Sequence, residues 1–239
     1  MNILRFDSAT AWVKAAADRF CQALQQEPAL RLCLPSGNTP LPLYAALVDA
    51  VRRRELSFRH ARIFALDEYG GLAADDPGRC VSMLRRYLLE HIDLPPAHFH
   101  FLDTLRPDMD RVCAEFDALL SQRLDLCLLG IGLNGHLGLN EPGSSVKSPT
   151  RRVELHPETT HAAQSYVKGS RLPTWGATIG MQPLLQSKEL WLLASGPAKA
   201  AVIGRLVKEP SPNAAFPASL LWTHPNCWLW VDPAAGAQL

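Results

Sequence analysis

Short, almost continuous apolar runs alternate along the chain with segments whose apolar residues recur every three or four positions. The runs are LRLCLP (30–35), ARIFAL (61–66), HFHFL (98–102), DLCLLGI (125–131), ELWLLAS (189–195) and CWLWVD (227–232). Each is too short for a buried helix, and none shows the in-out alternation of a strand wetted on one face. They predict strands of a parallel sheet covered on both faces. Between them, Trp12, Ala16, Phe20 and Leu24 form a helical stripe that Ser8 can cap, and Met109, Val112, Phe116 and Leu119 form a second. Further helices are expected over 41–54, 80–92 and 197–208. The resulting β-α-β-α-β order predicts one doubly wound, mostly parallel, Rossmann-like α/β domain, in three layers with helices on both faces, over residues 1–239.

Composition narrows the function classes. The chain has 239 residues, 47% of them hydrophobic, and a net charge of +1. There is no basic stripe with interleaved aromatics and no long charge run, so neither nucleic acid nor an acidic membrane is an expected partner. No apolar run is long enough to span a bilayer, and the N-terminus lacks the basic-then-apolar pattern of a secretory signal. The six cysteines are scattered without ligand-like spacing and read as free thiols of a reducing compartment, which makes a cytoplasmic location the expectation. No metal or other cofactor is called for; the His98-x-His100 pair lacks a third ligand nearby and reads as structural.

In open α/β sheets ligands bind beyond the carboxyl ends of the strands, and three unusual stretches fall there. PSGNTP (35–40) offers Ser36, Gly37, Asn38 and Thr39 beside a helix N-terminus, a setting that suits a phosphate. The plainer reading is a capped turn, with Thr39 as N-cap and Pro40 at the first helical position. LDEYGGL (66–72) places Asp67 where a carboxylate can act as a general base. GLNGHLGLNEPG (132–143) sets Asn134, His136 and Glu141 among glycines, with His136 titrating near neutrality and Glu141 close enough for the loop to fold it onto the imidazole. Any one of these could be incidental; their convergence on one sheet edge points to a site. The long loops 141–152 and 208–217 are of a size that often serves as a lid.

With these residues laid out, PSGNTPLPLY, LDEYGGL, LGIGLNGHLGLNEPGSS, ASGPAKAAVI and FPASLLWTHPN together resemble, in order and over nearly the whole chain, the hexosamine-6-phosphate deaminase/isomerase family, with 6-phosphogluconolactonases as more distant relatives. Asn134 before the Gly-His and the C-terminal PASLLWTH are similar to the galactosamine-6-phosphate branch. The resemblance implies a sugar-phosphate substrate, with Asp67 as the base that moves a proton between C2 and C1. It implies His136 as the ring-opening group, with Glu141 as its carboxylate partner. Ser36, Gly37, Asn38 and Thr39 would hold the phosphate, with Lys199 closing over it. Gly132 joins the substrate-binding set, and backbone N–H groups of the glycine loop would support the enolate oxygen.

Two departures stand out. Where glucosamine enzymes of this family have an arginine for the phosphate in the segment around 163–170, this chain offers none before Arg171, and Lys168 is the substitute. Those enzymes also carry aspartate where this chain has Asn134. A neutral amide orients the ring without supplying an opposite charge, so a lowered His136 pKa is expected. The alternatives are glucosamine 6-phosphate as substrate, lactone hydrolysis, which needs no C2 base, and a non-catalytic sugar-phosphate sensor, against which the retained acid–base residues argue. A homo-oligomer is possible within the family, but nothing in the sequence marks an interface.

Overall fold

A computed structural model describes residues 1–168 and 172–239. The six apolar runs all contain strands: β2 (Arg31–Leu34), β3 (Arg62–Ala65), β5 (Phe99–His100), β6 (Leu126–Leu129), β9 (Glu189–Ala194) and β10 (Cys227–Val231). Together with β1 (Asn2–Arg5), which the apolar pattern did not indicate, they form a parallel sheet in the order β1-β10-β9-β6-β2-β3-β5. β1 is an edge strand with no fully buried residue, so it has no apolar run to announce it.

The helices α1 (Ala9–Gln26), α2 (Leu41–Arg52), α3 (Cys80–Tyr87), α4 (Met109–Leu119), α5 (Pro157–Ala163), α6 (Met181–Leu185) and α7 (Ala200–Lys208) pack around this sheet. Ser8 caps α1 by accepting from the Ala11 N–H at 3.0 Å, and Trp12, Ala16, Phe20 and Leu24 are buried as the stripe requires. In α4 the stripe turns one residue later than expected: Leu119 is 44% exposed, and Leu120, four residues after Phe116, enters the core. The expected cap of α2 also shifts. Pro40 holds the N-cap position, Pro42 lies in the first turn, and no side chain caps the helix, so Thr39 remains in the preceding loop.

The apolar pattern also left out a second sheet. β4 (Asp67–Tyr69), β8 (Trp175–Thr178) and β7 (Arg151–Glu154) form a small antiparallel sheet in the order β4-β8-β7. β4 starts one residue after β3 ends and pairs Asp67 with Thr178. The chain therefore leaves the main sheet at Leu66 and is caught at once by a second ladder, which fixes the backbone that carries Asp67.

The expected lids are tied down. Arg151 donates to Asn140 Oδ1 and Ser144 Oγ, both at 2.8 Å, and the Gly143 N–H donates to the Ala214 carbonyl, also at 2.8 Å. The first bonds fold residues 141–152 back on themselves; the last joins them to the 208–217 loop. Five of the six free cysteines are buried and Cys21 is half-buried. No described helix is long and apolar enough to cross a membrane.

Candidate active site

The strand order reverses between β6 and β2: from β2 the chain winds toward β3 and β5, and from β6 toward β9 and β10. Crevices at such switch points receive ligands because adjacent loops diverge there. A cleft of about 190 Å³ opens at this point, lined by Ser36, Gly37, Asn38 and Thr39 after β2, by Asp67, by Gly132, Asn134 and His136 after β6, and by Lys199. The sequence-derived set thus converges on one cleft, except for Glu141, which stands just behind His136, and Lys168.

Lys168 is exposed and does not line the cleft. The residue of its segment that does is Tyr166. Tyr166 and Val167 continue the last turn of α5, with both N–H groups donating to the Ala163 carbonyl, and that curl leaves Lys168 outside. Arg171 lies outside the described residues.

Asp67 is 9% exposed, and its Oδ1 is buried without a hydrogen-bond partner. Burial pushes its carboxyl from 3.8 up to about 6, against the pull of a hydrogen bond from the Cys80 thiol. An under-solvated carboxylate of this kind is a stronger base than one in water and keeps an oxygen free to take a proton. Its neighbour Glu68 has a different task. Fully buried, it accepts from the N–H groups of Tyr69, Cys80 and Val81 at 2.8, 2.8 and 3.0 Å, and Arg79 approaches to 3.8 Å. Burial raises its carboxyl to about 7 while those amides and Arg79 pull it down. Glu68 therefore caps α3 from β4 and locks the strand that carries Asp67 onto that helix.

The histidine cluster fixes a tautomer. A carboxylate only accepts, so Glu141 Oε2, 3.0 Å from Asn134 Nδ2, obliges Asn134 to present its NH₂ there. The Asn134 carbonyl oxygen then faces His136, accepting from its backbone N–H at 3.1 Å and from Nδ1 at 2.8 Å. Nδ1 thus carries the proton, and Nε2 keeps its lone pair. The Glu141 carboxylate lies 3.6 Å from Nδ1, so it does fold back onto the imidazole, with Asn134 as a bridge. Burial holds the imidazole below its ordinary range; Glu141 opposes this and Lys199 adds to it. Replacing Asn134→Asp sets a carboxylate against Nδ1 and raises the imidazole pKa. Because neutral Nε2 is the useful form, the acidic limb of a pH–rate profile should move to higher pH, by about one unit, with activity at pH 7 reduced.

Thr159 was not legible as a site residue. Its Oγ1 lies 3.1 Å from His136 Nδ1, carried on α5. That helix starts at HPE, where Pro157 opens the first turn and Glu158 is its acidic residue, a recognisable helix start. No strand end points to it.

Two of the glycine-loop amides are already engaged within the loop. The Gly132 N–H donates to the His136 carbonyl and the Gly135 N–H to the Gly132 carbonyl, both at 3.0 Å, so neither is free for a substrate oxygen. Gly132 serves by having no side chain: a Cβ there would lie 2.2 Å from His136 Cε1. Gly132→Ala should therefore push the ring out of place and lower kcat/KM by more than about 100-fold, in the range of losing a general acid–base group, with the melting temperature showing that the fold survives. Beneath the loop, Ala218 of the C-terminal PAS stretch donates to the Gly135 carbonyl at 2.9 Å. That stretch is a floor for the 132–143 loop.

At the far end of the cleft, no described residue accepts from the N–H groups of Gly37, Asn38 or Thr39, which precede the N-terminus of α2. Tyr44 anchors this turn by donating to the Pro35 carbonyl at 2.6 Å. Lys199 Nζ reaches across from the β9–α7 loop to the Ile131 carbonyl at 2.6 Å, and burial lowers its pKa. Asp232 steadies that loop by accepting from Ser195 Oγ at 2.7 Å and the Gly196 N–H at 3.0 Å.

Residues 6–230 match the profile of the family described as glucosamine-6-phosphate isomerases/6-phosphogluconolactonase. The chain belongs to this family. It is 35% identical over 240 residues to a glucosamine-6-phosphate deaminase of Bacillus pumilus, covering 99% of both chains. A glucosamine-6-phosphate deaminase of Beutenbergia cavernae is 36% identical over 243 residues, covering 100% of this chain and 93% of that one. The solved structure of a monomeric glucosamine-6-phosphate deaminase superposes with a TM-score of 0.96 at 31% identity over 100% of both chains. A 6-phosphogluconolactonase from Trypanosoma brucei shares the fold, with a TM-score of 0.76 at 22% identity, covering 100% of this chain and 98% of that one.

Proposed function

We propose that this family member is a glucosamine-6-phosphate deaminase, converting glucosamine 6-phosphate and water to fructose 6-phosphate and ammonia. The observation that carries the reading is one cleft holding a buried, under-solvated carboxylate, Asp67, and an imidazole, His136, whose Nδ1 is pinned as the proton carrier. Ring opening moves a proton from the C1 hydroxyl to the ring oxygen, and the His136 Nε2 lone pair accepts and returns it near neutral pH. Asp67 then takes the C2 proton while the substrate ammonium gives one to O1, forming an enolamine, and Asp67 delivers its proton to C1, leaving an iminium at C2. Water adds at C2, ammonia departs, and the ketone remains. The phosphate, held by the 36–39 turn and Lys199, supplies orientation at the far end of the sugar.

The galactosamine preference expected from Asn134 and PASLLWTH gives way to the gluco reading. Two features support the change. The relatives described above carry the glucosamine name, and both motifs have work within the protein: Asn134, on the cleft wall, bonds His136 and Glu141, while Ala218 bonds Gly135. The decisive experiment is ammonia release from glucosamine 6-phosphate and galactosamine 6-phosphate in parallel. A higher kcat/KM for the gluco sugar is expected; a galacto preference would restore the other branch, and no ammonia from either would end the deaminase reading.

A further inference from the structure

The cleft has to hold a phosphate with few cations. Among its described lining residues Lys199 is the one lysine or arginine, and the dianion of a phosphate monoester needs more than one strong donor. The turn at Gly37, Asn38 and Thr39 supplies amides; the remaining side has to be closed from above. Tyr166 stands there. A Cβ on Gly37, whose φ is +90°, would lie 3.7 Å from the Tyr166 hydroxyl, so that hydroxyl sits directly over the phosphate-binding turn. The ring is half-buried and lines the cleft. No described residue is hydrogen-bonded to the Tyr166 hydroxyl, so its donor is uncommitted.

The position of Tyr166 is built in. Its N–H donates to the Ala163 carbonyl at 2.9 Å, and Ala163 is fully buried. From the other side Gly78 packs so tightly that a Cβ there would meet the Tyr166 carbonyl carbon and oxygen at 2.7 Å. Gly78 is held by its own N–H donating to Asp76 Oδ1 at 2.8 Å. A segment clamped by a buried alanine on one face and a glycine on the other holds its side chain in one direction, and that direction is into the cleft.

We infer that Tyr166 is a substrate-binding residue that donates its hydroxyl hydrogen bond to the substrate phosphate, taking over on the α5 side the part that Lys168 was expected to play. A neutral donor here leaves Lys199 as the only full charge on the phosphate from the described lining. The inference rests on the deaminase reading for the identity of the sugar but not for the anion contact, and the two can fail separately.

The test is Tyr166→Phe, which keeps the ring and its packing and removes the hydroxyl. Calorimetric titration with inorganic phosphate should show binding weakened about tenfold relative to wild type, the size of one hydrogen bond to a charged group. KM for glucosamine 6-phosphate should rise by a similar factor with kcat within about twofold. An unchanged melting temperature assigns the loss to the contact. Phosphate binding equal in the two proteins, or none in wild type, overturns the inference. So does a tenfold fall in kcat at constant KM, which would put the hydroxyl at the reacting carbons. Phosphate binding that depends on Tyr166, without ammonia release by wild type, would uphold the contact and reject the deaminase reading.

Discussion

Asp67→Asn is expected to lose activity by about 10²–10⁴-fold, the usual contribution of a positioned base, and to be more stable than the parent. Both effects come from the same burial. A carboxyl raised from 3.8 to about 6 is one whose charged form the fold disfavours by about 3 kcal/mol. The sign follows from proton uptake. The folded state binds the proton more tightly than the unfolded chain, so stability is lost as pH rises from about 4 to about 6 and stays lost at pH 7. Removing the charge should therefore raise the midpoint of urea unfolding at pH 7 and change little below pH 4, where both proteins carry a neutral group. The parent's kcat/KM should fall as pH drops through about 6, as the base is protonated. A variant that is inactive but no more stable than the parent at pH 7 would show that Asp67 is solvated, and would remove the reason for its strength as a base.

Stability surrendered at one residue explains why the surroundings of Asp67 are so heavily braced. β4 holds it from one side through the pairing with β8, and Glu68 holds the strand to α3 through hydrogen bonds from two of that helix's amides. None of that was legible in LDEYGGL, which marks a strand end and two acids but not which acid is bound to the protein and which faces the cleft. The distinction is made by partners far along the chain: Thr178 pairs with Asp67, and Cys80 and Val81 occupy Glu68.

The same division runs through the rest of the molecule. Strands buried on both faces, such as LCLL and LWLL, declare themselves because apolar residues must fill every position. RRVE and WGAT do not, since β7 alternates exposed and half-buried residues and β8, though largely buried, is made of Trp, Gly, Ala and Thr rather than an apolar run. Asp67, His136 and Glu141 could be picked out because strand ends are where an α/β fold gathers its chemistry. Thr159 and Tyr166 could not, because they sit on α5 and the turn that continues it, whose approach to the cleft depends on packing against Gly78, far away in the chain. The glycines of the 132–143 loop were legible as special, but not the part Gly132 plays: it makes room for the His136 ring, while its amide and that of Gly135 serve the loop itself.

His136→Gln should separate the two halves of the proposed chemistry. Glutamine reaches toward the same place and preserves a donor, yet it cannot exchange a proton near neutrality, so ring opening should become the slow step. A loss in kcat of about 10²–10⁴-fold is expected, with KM little changed because the phosphate turn and Lys199 are untouched. The isotope experiment is sharper than the rate alone. With glucosamine 6-phosphate deuterated at C2, the parent should show a primary isotope effect to the extent that Asp67 limits turnover, and the His136 variant should show none, since the C2–H bond breaks after the new bottleneck. Glu141→Gln supplies the graded case. It keeps a group near Asn134 but replaces an accept-only carboxylate with an amide that can donate or accept, so the Nδ1 tautomer is no longer enforced and an intermediate loss with partial suppression of the isotope effect is expected. A full isotope effect in His136→Gln, alongside a large loss of rate, would place the imidazole in the C2–C1 proton transfer and leave ring opening to solvent.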